Sequence, residues 1–102
     1  MLTISWFSGR RELLRESVYL PAEVLVSSLS KVETIVFQCL RFVDSEGITV
    51  FTQRQMDQFL VEWRLILQHS RTETERDLLQ QVERLALSCQ QKVHSQIWFE
   101  GA

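Results

Sequence analysis

The sequence predicts a mainly all-α fold: three to four helices, with a central apolar helix and a C-terminal αα-hairpin. Three observations lead there. Residues 22–43 gather their polar side chains into one narrow sector of a helical wheel, two capping boxes open later segments, and each of those segments carries one apolar face at helical spacing. A single domain spanning residues 1–102 fits the length, since 102 residues with 45% hydrophobic content support one core and not two.

Taken in order, Leu2-Thr3-Ile4-Ser5-Trp6 alternates apolar and polar residues before Phe7-Ser8-Gly9, the pattern of a short half-buried strand ending in a turn. Arg10 to about Val18 reads as a short helix of marginal length, and Pro21 breaks it or opens the next. On the wheel of residues 22–43, Glu23, Ser27, Ser30, Lys31, Thr34, Gln38 and Arg41 fill the polar sector. The apolar arc is far wider than the stripe of about 100° that a helix facing one core needs. That excess predicts a central helix covered on two or three sides. β-Branched residues at Val24, Val26, Val32, Ile35 and Val36 keep a strand over 32–43 as the competing reading.

Asp44-Ser45-Glu46-Gly47 is a turn cluster, and Ile48-Thr49-Val50-Phe51 is a β-prone link into the next helix. Thr52-Gln53-Arg54-Gln55 forms a capping box, after which Met56, Phe59, Leu60, Trp63, Ile66 and Leu67 share one face, with Val61 and Leu65 opposite. Thr72-Glu73-Thr74-Glu75 is a second box, opening a helix whose face is Leu78, Leu79, Val82, Leu85, Ala86, Cys89 and Val93. The short link makes these two helices an antiparallel hairpin, predicted to pack on the central helix. Beyond Val93 the chain either adds a helical turn or becomes extended, and the extended form is favoured. A Trp-Phe-x-Gly echo at Trp6–Gly9 and Trp98–Gly101 suggests β pairing of the termini, against the plainer reading of coincidence.

Composition narrows function by exclusion. A formal net charge of −2 supplies no cationic field for nucleic acid, and no apolar run approaches the ~20 residues of a membrane span. Two cysteines make no disulfide scaffold and the start shows no signal-peptide pattern, so a cytoplasmic location is the default expectation. Cys39 and Cys89 fall on apolar helix sides, where a thiol is usually a small buried hydrophobe. With His69 and His94 they lack the paired spacing of a zinc site, so neither metal nor other cofactor is expected. His69 suits the last turn of its helix, where a cation meets the helix dipole. His94 has no acid or serine spaced for a relay, and neither histidine matches a phosphotransfer site. Asp44–Ile48 looks like half a calcium loop, but Gln53 stands where the closing glutamate belongs. The acidic turn Glu73, Glu75 and Asp77 suits a helix start, and less strongly a basic partner.

Glu33 lies within the apolar arc. An unpartnered buried carboxylate costs several kcal/mol, so an ion pair is the plainer reading, and the sharper one is a group facing a symmetry mate or a ligand pocket shared with Arg41 and His94.

Asp44-x-x-Gly47-x-Thr49-Val50-Phe51 followed by Gln55, with Val93-His94 and Phe99-x-Gly101, resembles a family of small uncharacterised bacterial proteins. The resemblance covers about the C-terminal two thirds of the chain. In it the Gly-x-Thr-Val-Phe link joins two helices and the histidine-containing tail closes the chain. Thr52 stands where the family pattern has Asn, one good capping residue for another. The likeness implies no activity.

The functional expectation is a non-enzymatic protein–protein interaction protein, a homodimer or a hetero-complex, docking through Val24, Ile35 and Phe42 with Val61 and Leu65 as secondary contacts. The alternatives are an immunity or antitoxin protein that neutralises a toxin, and a helical small-ligand binder using Glu33, Arg41 and His94.

Overall fold

The computed structural model describes residues 1–30 and 37–101. It corrects the predicted class: the molecule is not a helical bundle but a mixed α/β fold, a four-stranded antiparallel sheet with a helix layer on one face. The strands are β1 (Leu2–Phe7), β2 (Val18–Leu20), β3 (Ile48–Thr52) and β4 (Gln96–Gly101), in the order β2-β1-β4-β3. The helices are α1 (Ala22–Ser30), α2 (Met56–Gln68) and α3 (Glu73–Gln90).

The two ends of the chain pair along the middle of the sheet. β1 and β4 run antiparallel with Ile4 opposite Phe99 and Trp6 opposite Ile97, the end-to-end pairing that the Trp-Phe-x-Gly echo suggests. The two glycines of the echo differ in how closely the chain passes them: tight at Gly9, and without room for a side chain at Gly101. A Cβ on Gly9 would stand 3.1 Å from the His94 Cβ, and one on Gly101 would overlap the Ser45 carbonyl.

Strand alternation turns Leu2, Ile4, Trp6, Val18, Leu20, Phe51, Ile97 and Phe99 to the inner face, where all are buried. The hairpin α2–α3 supplies the facing layer with Met56, Phe59, Leu60, Trp63, Ile66, Leu79, Val82, Leu85, Ala86 and Cys89. Phe59 stacks on Trp63 at 5.4 Å, and both rings meet Phe99 at 6.0 Å. The Trp63 indole N–H donates to the Leu79 carbonyl (2.8 Å), tying the two helices. Both capping boxes form in part. The Thr52 amide donates to Gln55 Oε1 (2.8 Å), although the box opens a 3-10 turn over Gln53–Gln55 before α2 begins. Thr72 Oγ1 accepts from the Glu75 amide (3.1 Å), while the Glu75 carboxylate reaches past Thr72 to the Arg71 amide (3.0 Å).

Two predicted helices are corrected. Residues 10–18 are the arm of a hairpin: the Leu14 amide donates to the Trp6 carbonyl (3.0 Å), Ser8 Oγ accepts from the amides of Arg10 and Glu12, and Arg11 turns through φ 62°. No helix accommodates that left-handed residue. The predicted central helix over 22–43 is helical over Ala22–Ser30, whereas residues 37–39 are irregular and Leu40–Phe42 make one 3-10 turn.

A buried carboxylate accounts for the irregular stretch. Glu62 of α2 is fully buried and accepts from the amides of Gln38 (2.9 Å), Cys39 (3.0 Å) and Leu40 (2.9 Å), with Gln58 Nε2 at 2.7 Å. A continuous helix would spend those amides on carbonyls four residues back; here they serve a carboxylate on another element. The anchorage drives Phe37, Cys39 and Leu40 into the core.

Candidate interaction surface

The helices cover one face of the sheet, and among the described residues no element covers the other. The register arranges its outward side chains in three rows: Tyr19, Thr3, Glu100 and Ile48; then Ser17, Ser5, Trp98 and Val50; then Leu13, Phe7, Gln96 and Thr52. An antiparallel sheet facing water alternates apolar inward with polar outward. Half of these outward positions are instead aliphatic or aromatic. Tyr19 is 60% exposed, Ile48 62%, Leu13 52% and Val50 36%, while Phe7 and Trp98 are half-buried against each other.

These side chains form a connected group. The Phe7 and Trp98 rings meet edge to face at 5.5 Å, Leu13 stands opposite Phe7, and Val50 stands opposite Trp98. The left-handed turn at Arg11 brings its guanidinium over the Trp98 ring at 5.6 Å. Beneath Trp98, Ser5 is buried and its hydroxyl bonds that of Ser17 (2.7 Å).

Of the residues predicted as contacts, Val24 lies on α1, Phe42 on the 3-10 turn, and Val61 and Leu65 on α2. Phe42 (64%) and Val61 (56%) are exposed, Val24 and Leu65 are half-buried, and Ile35 lies outside the described residues. Among the described residues Phe42 meets no other aromatic ring, and Val26 of α1 is exposed as well. The Arg41 guanidinium lies over the Phe42 ring at 4.7 Å, and the outward side of α2 near Val61 carries Gln58 and Arg64, the latter paired with Glu83 at 3.2 Å. Single exposed apolar residues are ordinary on protein surfaces, whereas a contiguous group is not.

Of the predicted pocket trio, Glu33 lies outside the described residues. His94 stands on a ridge between two open grooves at one end of the sheet. One, of about 620 Å3, is lined by Gly9, Thr52, Gln53, Arg54 and residues 93–96; the other, of about 490 Å3, is lined by residues 8–10, Glu12, Leu14, Lys92 and His94. Arg41 lines neither. His94 adopts φ 68° and is exposed.

Burial pushes the Cys39 thiol above its ordinary range, and the neighbouring Glu62 carboxylate adds to the shift. Cys89 is raised by burial, opposed by a hydrogen bond from Ser95. Both shifts work against the thiolate that cysteine chemistry needs. No three His, Cys, Asp or Glu side chains among the described residues are grouped to hold a metal, and no helix among them is long and apolar enough to cross a membrane.

Sequence reasoning assigns the buried acid to Glu33 and passes over Glu62. A signal was present: Phe59 three positions before and Ile66 four after place Glu62 on the edge of the apolar face of α2. The outer sheet face was equally hidden, because it exists only once four separated segments are brought into register.

No protein-family model matches the chain, and no curated protein and no solved structure matches it.

Proposed function

We propose that this chain is a non-enzymatic interaction protein that self-associates, and that the outer face of its sheet, in place of an apolar helix face, is the contact. The observation that carries this reading is the connected group Leu13, Phe7, Trp98 and Val50, bordered by Tyr19 and Ile48, on a face that no element covers among the described residues. Rigid aromatic side chains ordered by a sheet lose little entropy on docking, and such anchors dominate interface energetics. The polar positions Thr3, Gln96 and Glu100 between them supply hydrogen-bonding groups that fix orientation.

Sedimentation velocity over a concentration series tests the proposal. The wild type should shift from monomer to dimer through the micromolar range, and Tyr19→Thr combined with Phe7→Ser should hold it monomeric with the far-UV circular dichroism unchanged. A wild-type chain that stays monomeric at high micromolar concentration refutes self-association.

A further inference from the structure

The chain as a whole is acidic, with a formal net charge of −2, yet the sign reverses at one end of the sheet. There the two grooves that share Gly9 and His94 are lined by Arg54 on one side of the ridge and by Arg10 and Lys92 on the other, against one carboxylate, Glu12. Among the described residues the Arg10, Arg54 and Lys92 side chains meet no carboxylate, hydroxyl or ring. Other arginines are engaged: Arg41 covers Phe42, Arg64 pairs with Glu83, and Arg71 and Arg76 donate to Ser27 and Ser70.

Capping of α3 does not account for this cluster. The carbonyls of Ser88, Cys89 and Gln90 at its end already accept from the Gln91 amide, the Lys92 amide and Gln53 Nε2, and Arg10 and Arg54 stand on other segments. The frame that carries the cations is tied together. Buried Ser95 donates its hydroxyl to the Lys92 carbonyl (2.7 Å), and its own carbonyl accepts the Gln53 amide (3.1 Å), which joins the turn bearing His94 to the turn bearing Arg54. Charges oriented before a ligand arrives lower the entropic cost of binding it.

Backbone strain marks the same place. Among the described residues Arg11 and His94 are the non-glycine residues with left-handed backbone, at φ 62° and 68°. His94 forms the ridge, and Arg11 lies between the lining residues Arg10 and Glu12. Glycine would hold either conformation without strain, and side chains kept at that cost cluster at ligand sites.

We infer that this end of the sheet binds a phosphorylated small molecule, with its phosphoryl oxyanion at His94 between Arg54 and the pair Arg10 and Lys92. A phosphoryl group offers several acceptor oxygens and more than one negative charge to cations converging from two sides, where a carboxylate would leave most of them unmatched. The larger groove, about 620 Å3, exceeds an inorganic ion and takes the organic remainder of the molecule beside Thr52 and Gln96. This site stands on observations separate from the self-association proposed above.

Titration calorimetry and amide shift mapping by NMR with inorganic pyrophosphate test the inference. Pyrophosphate should bind saturably at one site and move the amides of residues 8–12, 52–54 and 92–96. Arg54→Gln combined with Lys92→Gln should weaken it about tenfold. His94→Gly is the sharper variant: glycine relieves the left-handed backbone, so the thermal midpoint should hold or rise while pyrophosphate affinity falls. Shifts that do not saturate, or that spread equally over Arg64, Arg71 and Arg84, would reduce the effect to counterion screening and overturn the site, as would unchanged affinity in either variant. A single-stranded oligothymidylate that binds more tightly than pyrophosphate would assign the surface to nucleic acid and overturn the small-molecule ligand.

Discussion

The two faces of the sheet are built from the same four strands yet obey different rules. On the inner face the alternate residues of all four strands are apolar and buried except half-buried Thr49 and Gly101 at the end of β4, and α2 and α3 close it. On the outer face aromatic and aliphatic residues alternate with Thr, Ser, Gln and Glu, and the largest of them remain partly in water. The inner face follows the demand of a core, that no apolar area be left wet. The outer face keeps apolar area that folding alone does not use, and that surplus is what the proposed contact would bury.

The sharpest separation of the two faces comes from truncating each. Phe99→Ala empties a site touched by Phe51, Phe59 and Trp63 and should cost about 3–5 kcal/mol in urea unfolding. Glu62→Ala comes next: three backbone amides lose their acceptor, and a loss of about 3 kcal/mol is expected, with Glu62→Gln milder because one carbonyl oxygen remains. Tyr19→Thr on the outer face should change unfolding free energy by only about 0.5 kcal/mol while weakening association, a division that no inner-face variant shows. If Tyr19→Thr destabilised the fold as much as Phe99→Ala, the distinction between the faces would be lost.

The smallest effect concerns pH. Burial raises both thiols, so the folded chain keeps protons that the unfolded chain releases near pH ~8.5. The stability this gives is complete below that pH and is lost as pH rises through the folded values. Urea midpoints should therefore fall on the alkaline side, and Cys39→Ala with Cys89→Ala should flatten the slope.

Local signals in the sequence were readable wherever the cause was local. Alternation over Leu2–Trp6, the turn at Asp44–Gly47, both capping boxes and the apolar faces of α2 and α3 are each fixed by neighbours within a few residues, except Val93, which was assigned to the last helix but lies beyond α3 and is exposed. The fold class was not readable, because an apolar stripe on a helix states that something covers it without stating whether that is a helix or a sheet. β2, with three residues, is too short to carry a period. Residues 38–40 depart from the predicted helix for another reason: their amides answer to Glu62, more than twenty residues further along the chain, a partner that no helical wheel displays. The outer face is likewise a product of register, drawn from residues as far apart as Phe7 and Trp98.

Hydroxyl-radical footprinting read by mass spectrometry at low and high protein concentration addresses the outer face itself. Oxidation of Tyr19, Phe7 and Trp98 should fall as concentration rises through the dimerisation range, while that of Phe42 and Val61 on the helix side stays constant. Equal oxidation of the outer-face residues at both concentrations, or protection confined to Phe42 and Val61, would contradict the outer sheet face as the contact.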